Sequence, residues 1–240
     1  MACILNIETS TSVCSVALAV DGAVVFDKVS FNGPSHASLT GVYVEEALHE
    51  LKSRSLRLEA VAVSSGPGSY TGLRIGVSVA KGLCFGLGIP LIGIHSLDIM
   101  AAAAIRQYSE AEEALFCAML DARRMEVYAA IYDAQLRPIR PATADIITAD
   151  SYAEYLSANR VCFFGNGSDK CKPVLTSPNA FFISSIHPLA SEMAPLAEKA
   201  FEAKQFEDVA YFEPFYLKEF QATIAKNKVL NEALAESKHQ

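Results

Sequence analysis

The chain has 240 residues, 51% of them hydrophobic, and a formal net charge of −7. That length buries one or two substantial cores. The acidic balance argues against a free-standing nucleic-acid binder of the basic-patch kind, since Arg123 and Arg124 are the only adjacent lysine or arginine pair.

Residues 3–8 (CILNIE) read as a buried strand ending on an acid, directly after the N-terminus, so no signal peptide is expected. Two further strands, 13–20 and 23–29, are joined by Asp21-Gly22, a strong hairpin signal. Asn32-Gly33-Pro34 breaks the chain, and Ser35 is placed to cap a helix through 51 with Leu39, Val42, Tyr43, Ala47 and Leu51 on one face. A strand over 58–63 leads into SSGPGSYTGLRIGVSVAKGL (64–83), which opens a helix; 90–94 is a strand and 96–108 a helix. The longest apolar run, near 83–94, contains Pro90 and is too short to span a bilayer.

The pattern then begins again. Residues 115–121 (LFCAMLD) form a strand ending on an acid, followed by strands at 126–133 and about 136–147, a helix at 150–158, and a strand at 161–164. Gly165-Asn166-Gly167-Ser168 echoes Gly66-Pro67-Gly68-Ser69, and a helix fits 188–203. Glu8 and Asp121 occupy matching strand ends. This predicts a duplicated α/β unit with a boundary where RQYSEAEEA turns polar: 1–107, 108–217, and a polar tail or helix over 218–240.

The chemical motifs are mostly negative. Neither the P-loop nor the dinucleotide glycine spacing is met, and Pro67 removes a backbone donor, although an anion at the following helix N-terminus stays open. No HExxH, HxxxH or GxSxG occurs, so neither catalytic residues nor a metal or cofactor is expected. The six cysteines form no CxxC pair and read as buried reduced thiols. Glu8 and Asp121 are either an acid pair across a cleft or two hydrogen-bonded strand-end acids. Gly72, Gly76, Ala80 and Cys84 lie four apart, a small-residue stripe that admits another helix closely, from this chain or a partner.

Four segments, ILNIETSTSVCSVAL (4–18), GPGSYTGLRIGVSVAKGL (66–83), GIPLIGIHSLDIMA (88–101) and DARRMEVYAAIYD (121–133), with the weaker PFYLK (214–218), resemble the bacterial TsaB (YeaZ) family. The resemblance implies two duplicated domains of an actin-like, heat-shock-ATPase-like (ribonuclease H-like) fold. It also implies a cytoplasmic, non-catalytic subunit of the machinery that makes threonylcarbamoyladenosine beside the tRNA anticodon. The implied partners are a TsaD-type catalytic subunit, a TsaE-type ATPase in the larger complex, tRNA only through that complex, and a second copy when the chain is alone.

The sister subunit TsaD carries an HxxxH metal pair where this chain has Ser96 and Met100, with Asp98 between them. The nucleotide cleft inherited from the fold maps onto Glu8, Thr9, Ser10, Gly66, Gly68, Asp121, Gly165 and Gly167, with Arg123 and Arg124 where a phosphate-hugging backbone is expected. Docking is expected on the helix at 35–51 and the helix that follows the loop at 66–72, through Leu39, Tyr43, Gly72, Leu73, Gly76, Val77 and Ala80. The competing readings are an ATP-dependent phosphotransferase and a metallopeptidase-like enzyme.

Overall fold

A computed structural model describes residues 2–31, 36–108 and 113–218. The first half folds as β1 (Cys3–Glu8), β2 (Cys14–Val20), β3 (Ala23–Ser30), α1 (His36–Ser53), β4 (Ala60–Gly66), α2 (Tyr70–Leu87) and β5 (Leu91–His95), followed by α3 (Ser96–Gln107). The second half gives β6 (Leu115–Asp121), β7 (Glu126–Tyr132), β8 (Pro138–Ile146), the short α4 (Ala153–Leu156), β9 (Val161–Phe164), a 3-10 turn at Asp169–Cys171, β10 (Ala180–Ile183) and α5 (Ala190–Glu202).

The two sheets have the same order, β3-β2-β1-β4-β5 and β8-β7-β6-β9-β10. In each, three antiparallel strands meet two parallel ones at the first strand of the repeat. This is the duplicated actin-like, ribonuclease H-like topology. The Asp21-Gly22 turn carries positive φ at both residues (48° and 74°), the backbone a two-residue hairpin between twisted strands requires.

β1 and β4 are buried along their whole length because both faces of the first sheet are covered. One face (Leu5, Ile7, Val16, Leu18, Val61, Val63) packs under α1 and α2; the other (Ile4, Ala60, Ala62, Ile92, Ile94) packs under Met193, Ala197 and Ala200 of α5. On the second sheet, Phe116, Ala118, Leu120 and Phe164 pack against Leu97, Met100 and Ala104 of α3.

β1 to β5 form one sheet and β6 to β10 the other, but the helices do not keep to that division. α3, from the first segment, covers the second sheet, and α5, from the second, covers the first. Residues 207–217 also return to the first half: Glu207 pairs with Leu91, and Phe215 N–H donates to Ser65 O (2.7 Å).

The second half differs most from its twin in its helices. α1 and α2 each have 18 residues, whereas their counterparts are the four-residue α4 and a single 3-10 turn. The helix expected over 150–158 shrinks accordingly, and β10 had no counterpart in the sequence reading. Ser35 and the tail 219–240 lie outside the described residues.

Candidate functional site

A cleft of about 870 Å³ opens between the halves. One wall is the β1–β2 loop (Ser10, Thr11, Ser12), His36 and Ala37 of α1, and the start of α2 from Pro67 to Gly72. The opposite wall is Leu120 to Arg123, Tyr128 and Asn166, and Phe215 to Lys218 complete the lining.

The first wall is built by close backbone approach. The Ser69 side chain caps α2 by accepting from Gly72 N–H (3.2 Å), and Ser69 N–H donates to Ser10 O (2.7 Å). A Cβ on Gly72 would stand 2.1 Å from Thr9 O, and one on Gly76 would stand 2.3 Å from Thr9 Oγ1, itself donating to Gly72 O at 2.8 Å. The glycines of α2 are thus required by the loop after β1.

This corrects the docking expectation. Gly72, Leu73, Gly76, Val77 and Ala80 are buried inside the chain's own first half, against Thr9 and the sheet, and present nothing to a partner. Leu39 and Tyr43 on α1 are only half-buried. The outward side of the helix pair carries a different set. Among the described residues nothing lies beyond Gly41, Gly82 and Gly86, Phe85 is 85% exposed, and Val42 and Leu87 are also exposed. Gly88 then ends α2 in the left-handed region, its N–H on Cys84 O.

The inherited nucleotide positions separate. Ser10, Gly68 and Asp121 line the cleft; Glu8, Thr9, Gly66, Gly165 and Gly167 do not. Glu8 is fully buried and accepts from Ser10 N–H (2.5 Å), while its second oxygen has no hydrogen-bond partner. Burial pushes its carboxyl up to about 7, against the opposing pull of hydrogen bonds from Ser10 and Ser64. Gly66 backs onto Phe215 O, Gly165 onto Met100 and Met119, and Gly167 onto Leu120. Glu8 and Asp121 are hydrogen-bonded strand-end acids in unlike settings, the first sealed, the second exposed.

Asp121 is already engaged: Lys170 Nζ pairs with its carboxylate, which also accepts from Arg123 N–H (3.2 Å). The following turn puts Arg123 and Arg124 both at positive φ (68° and 45°), a conformation that costs L-residues roughly 1 kcal/mol or more each. Two arginine side chains thus stand where the resemblance implies a phosphate-hugging backbone. At the aligned metal positions, Ser96 and Met100 are both fully buried, and Met100 abuts Gly165. Neither atom set suits a hard or borderline divalent cation. Asp98 accepts from Tyr132 OH (2.5 Å).

Three cleft features escaped the sequence reading. His36 Nε2 donates to Thr11 O (2.6 Å), and its Nδ1 is buried without a partner, as is Ser10 Oγ. Tyr128 comes from the second hairpin. The segment 215–218 arrives from the far end of the chain, and only the weak PFYLK similarity pointed at it. The six cysteines are free and buried, as expected. Among the described residues, no helix is long and apolar enough to cross a membrane.

The fold and cleft define a class: a duplicated actin-like α/β protein whose inter-half cleft keeps its shape but has its acids sealed or paired. Residues 32–238 match the family described as "TsaD: tRNA N6-adenosine threonylcarbamoyltransferase". The tRNA threonylcarbamoyladenosine biosynthesis protein TsaB of Escherichia coli K12 is 37% identical over 129 residues, and that of Bacillus subtilis 168 is 33% identical over 129. Each alignment covers 54% of both chains, so the match spans about half the length of these curated relatives. YeaZ from Pseudomonas aeruginosa superposes with a TM-score of 0.74 at 27% identity, covering 90% of this chain and all of that one. A second Pseudomonas aeruginosa structure, "an uncharacterized protein with similarity to peptidase YEAZ", gives 0.76 at 27% identity, covering 91% of this chain and 100% of that one. The chain belongs to the threonylcarbamoyltransferase family and, within it, to TsaB (YeaZ).

Proposed function

We propose that this chain is a non-catalytic subunit that binds a TsaD-type threonylcarbamoyltransferase and supports formation of N6-threonylcarbamoyladenosine in tRNA. The observation that carries the reading is the outward face of α1 and α2, where Val42, Phe85 and Leu87 are exposed around three glycines with nothing opposite. A helix from another molecule reaches van der Waals contact there without displacing side chains. The similarity to the threonylcarbamoyladenosine biosynthesis proteins TsaB supports the pathway. The sealed Glu8, the Lys170-paired Asp121 and the buried Met100 support a supporting role over a catalytic one. They weigh against the phosphotransferase and metallopeptidase readings.

In this reading the same face pairs with a second copy when TsaD is absent, a TsaE-type ATPase joins the larger assembly, and tRNA is met through the complex. The test is calorimetric titration of Phe85→Glu into a TsaD-type protein, with folding checked by circular dichroism. Burying an unpaired carboxylate at the seam is expected to weaken binding by at least tenfold. A folded variant that binds with unchanged affinity sinks the docking assignment. Steady ATP turnover by the purified chain alone sinks the non-catalytic one.

A further inference from the structure

Residues 207–218 cross from one half of the molecule to the other, and each contact they make is specific. Glu207 N–H donates to Leu91 O (2.9 Å) at the free edge of the first sheet. Lys81 of α2 holds two carbonyls of the segment, Ala210 O (3.1 Å) and Phe212 O (3.0 Å). The Phe212 ring lies over Gly93, and Phe215 O fills the space beside Gly66. His95 meets the Phe215 ring edge-on at 5.5 Å. Tyr216 lies against Tyr70 (5.0 Å between centroids), and its hydroxyl accepts from Arg74 Nε (3.4 Å).

Up to this point every partner belongs to the first half. Lys218 then reaches Glu126 at the start of β7 in the second half. Between these anchors, Phe215 to Lys218 line the cleft.

We propose that this segment is a clasp that sets the opening between the two halves, fixed on the first half by Lys81, Arg74 and the Phe215 backbone and latched on the second by the Lys218–Glu126 pair. The two kinds of contact differ in strength. The first-half anchors combine several hydrogen bonds to the main chain with ring contacts from Phe212, Phe215 and Tyr216. The latch is a single ion pair with Lys218 45% and Glu126 18% exposed, a kind that contributes little and is easily broken. A firm anchor with a weak latch is the construction of a part that is released at one end only.

The test uses a charge swap in the full-length chain. Ala37→Cys, on one wall of the cleft, and Arg124→Cys, exposed next to Arg123 of the other wall, carry nitroxide labels, and the native cysteines, all buried, stay unlabelled. Lys218→Glu is expected to move the label-to-label distance distribution, measured by pulsed electron resonance, to longer and broader values, because Glu126 then faces a like charge. Glu126→Lys is expected to do the same. The double swap, Lys218→Glu with Glu126→Lys, is expected to restore the original distribution. Single variants that keep the parental distribution overturn the clasp, as does a double swap that stays open.

Discussion

At the scale of single residues, the molecule's most consequential charge is one that its surroundings suppress. Glu8 ends β1, is fully buried, and has one oxygen on Ser10 N–H and the other without a partner. Its folded carboxyl sits near 7 rather than near 4.5, with burial as the cause. The sign follows from proton uptake. Between pH 4.5 and 7 the folded state holds a proton that the unfolded state has lost, so Glu8's contribution to stability is full at low pH and is lost as pH rises toward 7. A shift of that size corresponds to about 3 kcal/mol. Urea unfolding of the parent is expected to give lower stability at pH 8 than at pH 5. Glu8→Gln, which keeps an acceptor for Ser10 N–H, is expected to flatten that slope and to be the more stable protein at pH 8. Equal slopes in the two proteins would exclude Glu8 as the source. The spacing of Glu8 and Asp121 in the sequence marked both as strand-end acids. It carried no sign of their different fates, because those depend on what packs beside each: burial with Ser10 and Ser64 for Glu8, Lys170 for Asp121.

At the scale of elements, α2 carries two small-residue stripes, and they do opposite work. Gly72, Gly76 and Ala80 face inward, and Gly82 and Gly86 face open space. Gly76→Leu is therefore a core substitution: its Cβ alone would stand 2.3 Å from Thr9 Oγ1, so overpacking is expected to cost about 3 kcal/mol or more in urea unfolding. Gly82→Ala adds a methyl group to solvent in mid-helix and is expected to stabilise by about 0.5–1 kcal/mol. Similar losses for the two variants would refute the assignment of faces. Four-residue spacing showed that a close approach exists on this helix but not which side meets it, since both stripes have the same period. Strands were more legible than helices for a related reason. β1, β2, β4 and β6 are continuous apolar runs with both faces covered, which sequence reports directly. The shrinkage of the 150–158 helix to Ala153–Leu156 depends on tertiary contacts instead: Arg140, Asp145 and Tyr152 form a hydrogen-bonded cluster that caps this face of the second sheet without a long helix.

At the scale of the whole molecule, the duplication was legible from the recurrence of strand, acid and glycine turn, but the crossing of α3 and α5 was not, because amphipathic helices do not name the sheet they cover. That crossing ties the two halves together at the back, while residues 207–218 tie them at the front. The front tie is attached to the helix on which docking is proposed. Arg74 and Lys81 of α2 hold Tyr216 and the carbonyls of Ala210 and Phe212, so a partner seated on α2 meets the anchored end of the segment that closes the cleft. A ligand shifts a conformational equilibrium only through contacts that differ between its states. Here those contacts are the ones α2 makes to 210–216. Adding a TsaD-type protein to the chain labelled at positions 37 and 124 is therefore expected to change the inter-label distance distribution. In a Tyr216→Ala version, which removes the Tyr70 and Arg74 contacts, the change is expected to be much smaller while calorimetry still reports binding. If the partner binds the parent tightly and leaves its distribution untouched, docking and cleft opening are independent, and the two ends of the clasp do not communicate.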